Sequence, residues 1–334
     1  MLKALRAVVA GAACLAATGA MAEGGPASTS ASASPAGAST VVAPVTVRPP
    51  SQATIEKQSY AFVRNRVTAG NPEVGQISRW FDPVCVEVVG LPLQEEADAI
   101  KHRIESVAQA VGAPKPARNC SANVEIVFSA EPQKVMDMVA DRRDWLLGYY
   151  HAHMAGTLKR VTHPIQSWYV TATLGSGTGA TVLAMNGLRN FAQPRAMVID
   201  DPDRMGAAGC AASHFTSCLQ SEFYNVFIVA DSKALEGKDL GLVADYMTML
   251  ALSEPRSLDQ CTGFASVLDL FADPDCGHAP ADGLTPADAA YLTSLYKSDL
   301  RAKGWGERGE ISLRMTRMLI KANPEAPGQP KASR

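Results

Sequence analysis

The sequence lacks the patterns that mark nucleic-acid binding, dithiol chemistry and α/β-hydrolase catalysis. No run of Lys and Arg is longer than two residues and the formal net charge is −2, which argues against a nucleic-acid partner or a polybasic membrane patch. There is no C-x-x-C pair and no G-x-S-x-G nucleophile turn. Aromatic residues make up only 6% of the chain. With 47% hydrophobic residues among 334, the chain can nevertheless bury a sizeable globular core.

The first 22 residues have the pattern of a cleavable secretory signal. Lys3 and Arg6 precede an Ala/Val/Leu stretch that is too short for a bilayer span, and small residues close it. We therefore expect cleavage after Ala22 and export to the periplasm or the medium. The alternative is a lipid-anchored envelope protein modified at Cys14, although the sequence GAAC lacks the large aliphatic residue usual before such a site.

Six cysteines follow the predicted signal, and an even number in an exported chain predicts disulfides. Sequence alone cannot choose among the possible pairings, but the order of the cysteines favours three local pairs, 85–120, 210–218 and 261–276. Their spacing is too irregular for a zinc cluster, and no cofactor is predicted. The cysteines are Cys85, Cys120, Cys210, Cys218, Cys261 and Cys276.

Composition divides the rest of the chain into a leader, one domain and a tail. Residues 23–55 are rich in Ser, Ala, Pro and Gly and cannot bury enough apolar surface to fold, so a disordered leader is predicted. A single domain is expected over residues 56–322, because no linker-like segment interrupts them. Residues 323–334 are predicted to be a disordered tail.

Hydrophobic patterns predict an α/β fold with a mixed, twisted sheet. A β-branched strand at 84–90, an amphipathic helix and a second strand at 122–130 predict a βαβ unit with parallel strands. Further strands are predicted at 165–174 and 222–231, with GSGTGA (175–180) as a hairpin tip. Residues 132–150 are predicted to be helical.

The stretch VADYMTMLALSEP, residues 243–255, predicts a helix that is apolar on almost every side and is therefore buried. Asp245 and Thr248 are among its few polar side chains. They lie three residues apart on one side of the helix, so we expect a hydrogen bond between them.

A turn and a second helix are predicted to follow. The run GFASVLDLF (263–271) comes after a short loop. Thr285 is placed to cap the next helix, with Pro286 at its first position and Asp288 completing a capping box. The predicted order is therefore strand, buried helix, turn and capped C-terminal helix.

This order resembles the metzincin-type zinc metalloproteases, whose catalytic helix carries H-E-x-x-H-x-x-G-x-x-H before a turn with a methionine. The capped helix that begins LTPAD and ends in LY is also similar to that family. With Ala251 at the motif's glycine, Leu268 falls near the turn methionine. The motif's first histidine, glutamate, second histidine and third ligand then fall on Ala244, Asp245, Thr248 and Glu254.

The resemblance implies a zincin-like fold without a catalytic zinc ion. Alanine offers no lone pair and threonine is a poor zinc ligand, which leaves Asp245, Thr248 and Glu254 as vestigial candidates. The chain also resembles a group of exported Gram-negative bacterial proteins with the pattern SHFTSCLQSEFYNVFIVAD, and that resemblance implies no activity.

The expected function is therefore that of a pseudo-metalloprotease with a binding or structural role in the envelope. Its partner would be a protein, peptide or glycan, and no transmembrane span is expected. The alternative is a peptidase-like hydrolase that uses Asp245 or Glu254 together with ligands from elsewhere in the chain.

Histidines outside this segment give one further candidate metal site. His151 and His153 occupy alternate positions with His163 nearby, and such imidazoles can share a metal ion. No acidic residue accompanies them, which favours surface or packing histidines.

Three other groups are weaker candidates. The acidic run DDPD (200–203) lacks the glycine and distal glutamate of a calcium loop, which favours a solvated turn. His214 lies between Cys210 and Cys218 and is expected to belong to a disulfide-tied loop. The run WLLGYY (145–150) has the pattern of an exposed aromatic cluster. Aromatic residues usually fill cores, but on a surface they are what a peptide or glycan site needs.

Overall fold

A computed structural model describes most of the chain from Pro50 to Ala322. The described residues are 50–68, 76–116, 120–148, 155–175, 181–182, 219–272, 276–302 and 304–322. The helices are α1 (Gln52–Arg66), α2 (Gln94–Val111), α3 (Pro132–Arg142), α4 (Ala155–Leu158), α5 (Leu240–Leu252), α6 (Pro286–Tyr296) and α7 (Gly304–Ala322). The strands are β1 (Val86–Val89), β2 (Val124–Ser129), β3 (Ile165–Gly175), β4 (Thr181–Val182) and β5 (Leu219–Asp231). Two 3-10 helices cover Asp144–Leu147 and Val267–Phe271.

The strands form one mixed sheet in the order β1-β2-β5-β3-β4, which confirms the predicted α/β class. β1, β2 and β5 run parallel, whereas β3 is antiparallel to both β5 and the two-residue strand β4. The βαβ prediction is also confirmed, because α2 connects β1 to β2 and Val86 pairs with Val124. The antiparallel strand β3 begins at the edge where β5 ends.

Different helices cover the two faces of the sheet. Ile126 and Ile228 belong to the core that also contains the buried faces of α2 and α5. Because side chains alternate along a strand, Val127 and Phe227 point the other way, and Trp168 packs on Phe227 with ring centroids 6.2 Å apart. Helix α3 and the first 3-10 helix lie on that second face. The connections after β2 and β5 therefore leave toward opposite faces.

Helix α1 begins at Gln52, within the stretch that composition assigns to the leader. Its N-cap is Ser51, whose Oγ accepts a hydrogen bond from the Thr54 N–H at 3.2 Å. Ile55, Phe62 and Val63 are buried, and α1 packs against α7. Residues 52–55 thus belong to the folded part. Ser51 caps the start of α1, and the apolar side chains further along the helix are buried, so the polar first turn is ordered together with them.

Buried ion pairs connect the N-terminal part of the described chain to its C-terminal part. Arg66 pairs with Asp269 and Arg79 pairs with Glu307, and no side chain in either pair is more than 4% exposed. The Ile77 N–H also donates to Glu307 Oε2 at 2.9 Å. Removing one partner of such a pair would leave a buried charge without compensation, so these contacts hold the end of α1 on the second 3-10 helix and the segment before β1 on α7.

Two of the three predicted disulfides are confirmed. Cys85 is bonded to Cys120 and Cys261 to Cys276, at sequence separations of 35 and 15. The predicted 210–218 pair lies outside the described residues. Disulfides persist in oxidising compartments, which favours a non-reducing, extracytoplasmic setting. None of the helices in the described ranges is long and apolar enough to cross a membrane.

Two local predictions need correction. The helix predicted over 132–150 ends at Arg142, because Arg143 leaves the helical conformation at φ −144° and a 3-10 helix follows. The run WLLGYY is not an exposed cluster in its described part. Leu146 and Leu147 are buried, since the 3-10 helix packs on the sheet. Its two tyrosines and the tip at 176–180 lie outside the described residues.

Candidate functional site

Helix α5 contains the buried helix predicted over 243–252. Asp239 caps its start, where its Oδ1 accepts a hydrogen bond from the Leu242 N–H at 2.9 Å. Every residue from Val243 to Leu252 is buried, because α5 packs against α2, β5, α6 and the second 3-10 helix. The surface of α5 that would have to hold an ion is therefore packed against protein.

Asp245 is a structural carboxylate that joins three elements. Arg103 of α2 contacts both of its oxygens, with Nε 2.5 Å from Oδ1 and Nη2 3.2 Å from Oδ2. The Leu284 N–H donates to Oδ2 at 2.8 Å, which holds the start of α6 against α5. The hydrogen bond to Asp245 raises the pKa of the Arg103 guanidinium. Asp245 is 7% exposed, and the donors from Arg103 and Leu284 contact both of its oxygens.

Thr248 is bonded within its own helix, and the expected Asp245–Thr248 hydrogen bond is wrong. The Thr248 hydroxyl donates to the Ala244 carbonyl one turn earlier, at 2.7 Å. Threonine commonly satisfies its hydroxyl in this way inside a helix. Asp245 instead takes its donors from α2 and from the segment before α6.

The capping box predicted at the start of α6 is confirmed. Thr285 Oγ1 accepts a hydrogen bond from the Asp288 N–H, and Asp288 Oδ2 accepts one from the Thr285 N–H, each at 3.1 Å. Asp288 also accepts hydrogen bonds from the Ser266 hydroxyl and the Val267 N–H. The box therefore ties the second 3-10 helix to α6.

Three aromatic side chains satisfy the carbonyl groups at the end of α5. The last carbonyls of a helix have no partner within the helix, so a buried end needs donors from outside. These come from β3, from the segment before β1 and from the end of α6. They are Tyr169 on the Leu250 carbonyl at 2.9 Å, Trp80 on Ala251 at 2.8 Å and Tyr296 on Leu252 at 3.0 Å.

Glu254 lies two residues after the last residue of α5, and one oxygen of its carboxyl group is buried without a hydrogen-bond partner. Its Oε2 atom is buried and makes no hydrogen bond. Burial raises the pKa of Glu254 to about 7. The helix carbonyls nearby carry the negative end of the helix dipole, which also disfavours a carboxylate there. Asp245 is bonded to Arg103 and Leu284, and neither of these residues bonds to the Glu254 carboxyl group.

The residues at the family's zinc positions do not fit a zinc ion. Ala244 has no donor atom, the Thr248 hydroxyl is already bonded, and the Glu254 carboxyl has the environment of a neutral acid. Leu268, at the position of the turn methionine, is buried in the second 3-10 helix. In the described ranges, no group of three or more His, Cys, Asp or Glu residues is arranged to hold a metal ion.

His163 is the one member of the predicted histidine group whose contacts the structure describes. Its Nδ1 lies 2.9 Å from Thr162 Oγ1 and its Nε2 lies 2.9 Å from Asp259 Oδ1. Both ring nitrogens thus have partners, as the packing interpretation expects. The other candidates lie outside the described residues, namely His151, His153, His214 and the run at 200–203.

A cavity of about 530 Å³ opens at the carboxyl ends of β2 and β5, on the edge where β3 begins. Its walls come from residues 131–134 at the start of α3, from residues 161–164 before β3, and from the turn after β5. Asp231, the last residue of β5, and His163 both line it. This volume lies in the range of small-molecule binding sites.

Sequence reasoning missed the partner of Asp245 and this cavity. Arg103 is one of several charged residues on α2, and no pattern marks it as the one that reaches α5. The cavity had a usable signal, because ligand sites in α/β sheets form at the carboxyl ends of parallel strands. Ser129 and Asp231 end two strands that the sequence predicts.

Comparisons with protein-family models, with curated proteins and with solved structures find no match to this chain.

Proposed function

We propose that the chain is an exported, non-catalytic domain with a zincin-like framework, and that it has a binding or structural role in the bacterial cell envelope. The two disulfides support an oxidising compartment, and the secretory pattern of residues 1–22 supports the route to it. A small acidic excess and the lack of basic runs favour a partner other than nucleic acid.

The arrangement around α5 supports the framework. A buried helix follows the last strand of the sheet, a short turn follows the helix, and a capped helix comes next. The Leu284 N–H bonds to Asp245, so the start of the capped helix packs directly on the buried helix. The resemblance to the metzincin order requires this proximity. Because fold and function are separable, the framework alone carries no activity.

The proposal depends on one observation: Asp245 and Thr248, which fall at catalytic positions of the metzincin motif, form structural hydrogen bonds here. Asp245 anchors α2 and the start of α6, and Thr248 bonds to its own helix. The Glu254 Oε2 atom is buried and accepts no hydrogen bond. A zinc hydrolase needs three protein ligands and an open position for water, and these side chains supply neither. The side of α5 that would face a metal ion or a ligand is packed against protein. A structural role for this helix is therefore favoured over a role in ligand binding.

Metal analysis of the purified protein tests the proposal. Protein prepared in the presence of zinc and then dialysed should retain no stoichiometric zinc, because the part of the chain that the structure describes holds no group of three or more His, Cys, Asp or Glu residues arranged for a metal ion. One tightly held zinc ion per chain, or zinc-dependent cleavage of a denatured protein substrate, would overturn the proposal in favour of a hydrolase.

Mass spectrometry of the mature N-terminus tests the route of export. We expect a chain that begins at Glu23. A mature chain that begins at a lipid-modified Cys14 would replace this account with the lipid-anchored alternative.

A further inference from the structure

The cavity at the carboxyl ends of β2 and β5 lies where neighbouring strands send their connections to opposite faces. Strand β2 continues to α3 on one face, and the adjacent β5 continues to α5 on the other. In open α/β sheets a crevice forms where two such strands diverge, and ligands bind in that crevice. The position follows from the topology of the sheet and is independent of the residues at the zincin positions.

Hydrogen bonds hold the walls of this cavity in place. The Gln133 side chain donates to the Lys159 carbonyl and accepts from the Val161 N–H, each at 3.0 Å, which fixes the loop before β3 to α3. The Asp231 N–H donates to the Pro164 carbonyl at 2.8 Å, which fixes the other side of that loop to β5. A site that is formed before binding avoids the entropic cost of ordering its walls.

The cavity has charged groups of both signs. Lys134 projects from the first turn of α3 and pairs with Glu131, but the two side chains are 74% and 56% exposed, so water weakens their attraction. Asp231 lies at the end of β5. Its Oδ1 accepts hydrogen bonds from the N–H groups of Lys233 and Ala234 at 2.9 and 3.3 Å, which fixes the carboxylate at the cavity wall.

We propose that this cavity binds a small zwitterion of dipeptide size, whose carboxylate pairs with Lys134 and whose ammonium group pairs with Asp231. Val161 supplies apolar surface for a small side chain, and the Thr162 side chain is held at the cavity wall by the hydrogen bond that its hydroxyl donates to Gln166 Oε1 at 3.2 Å. The ligand's carboxylate takes the place of Glu131 beside Lys134. The proposal goes beyond the non-catalytic role and does not depend on it, because none of these residues belongs to α5.

Calorimetric titration of the purified protein with alanylalanine tests the proposal. We expect saturable binding, and we expect N-acetyl-alanylalanine and alanylalanine amide each to bind at least about tenfold more weakly, because each lacks one of the two charges. Absence of saturable binding by alanylalanine overturns the proposal. So does equal binding of the three compounds.

Two variants assign the contacts. Asp231→Asn keeps an amide oxygen to accept from the Lys233 and Ala234 N–H groups while it removes the charge, and Lys134→Gln removes the cation. Each should weaken alanylalanine binding about tenfold or more, whereas Lys101→Gln, on α2 and outside the cavity, should not. Denaturation curves equal to that of the parent protein identify variants that are still folded. Undiminished binding by folded Asp231→Asn and Lys134→Gln variants overturns the proposal, while the zinc content of the protein separately tests the non-catalytic function.

Discussion

Replacing Glu254 with glutamine should remove a large part of the pH dependence of stability. In the folded protein the Glu254 carboxyl group is buried beside the end of α5, and burial raises its pKa from 4.5 to about 7. In the unfolded chain the same group meets water and titrates at its ordinary value. Glutamine has nearly the same shape and stays neutral at every pH, so it reproduces the protonated form.

Whether stability rises or falls with pH depends on whether the folded or the unfolded state holds the Glu254 proton more tightly. Below pH 4.5 Glu254 is protonated in both states and its contribution to stability is fully present. Between pH 4.5 and about 7 the unfolded chain loses the proton and the folded protein keeps it, so the free energy of unfolding falls as pH rises. A shift of this size corresponds to about 3 kcal/mol lost across the window. Above pH 7 the contribution no longer changes.

Urea denaturation at several pH values between 4 and 8 measures this effect. Burial also raises the pKa of Glu222 to about 7, with a smaller contribution from the nearby Asp82, and it raises the pKa of Asp269, Asp288 and Glu307. The parent protein should therefore lose stability through all of these groups. Glu254→Gln should lose about 3 kcal/mol less than the parent over this range. Glu236→Gln, at an exposed position, is the matched control and should behave like the parent. The reasoning is refuted if Glu254→Gln and the parent have the same pH slope, whatever their absolute stabilities.

Two further substitutions test how the frame around α5 is held. Tyr296→Phe deletes the donor to the Leu252 carbonyl and should lower the free energy of unfolding by about 1 kcal/mol. The control Tyr60→Phe, at a side chain 56% exposed, should leave the free energy of unfolding nearly unchanged. Equal losses for the two variants in urea denaturation would count against the capping role of Tyr296. Replacing both Cys261 and Cys276 with serine removes a disulfide between residues 15 apart and should lower the free energy of unfolding by about 3 kcal/mol. The corresponding double variant of Cys85 and Cys120, which are 35 residues apart, should lower it slightly more. Denaturation of both double variants beside the parent checks this, and unchanged midpoints would contradict the expected contribution.

Features that depend on neighbouring residues were predictable from the sequence. The run EFYNVFIVAD predicted β5, the apolar run from Val243 predicted most of α5, and the spacing of Thr285 and Asp288 predicted the start of α6. Local order of the cysteines was enough to predict the 85–120 and 261–276 disulfides. Periodicity, helix caps and short loops each depend on only a few neighbouring residues, so they can be predicted without knowledge of the tertiary structure.

Contacts between distant parts of the chain were not predictable. The sequence does not show that Arg66 pairs with Asp269 or that Arg79 pairs with Glu307, because many other carboxylates could form the same ion pairs. Only the folded structure determines these partners. The role of Asp245 was misjudged for the same reason. Its spacing from Thr248 was visible, whereas the approach of Arg103 from α2 depends on how two helices cross. The cavity at Asp231 also needs the order of the strands, which the linear pattern leaves open.

A competition titration between the protein and a chromogenic zinc chelator tests most directly whether the polar residues of α5 and Glu254 are structural. The account predicts that the parent protein, Thr248→Ala and Glu254→Gln all fail to withdraw zinc from the chelator. It is contradicted if the parent binds one zinc ion per chain with submicromolar affinity and both variants bind it at least about tenfold more weakly.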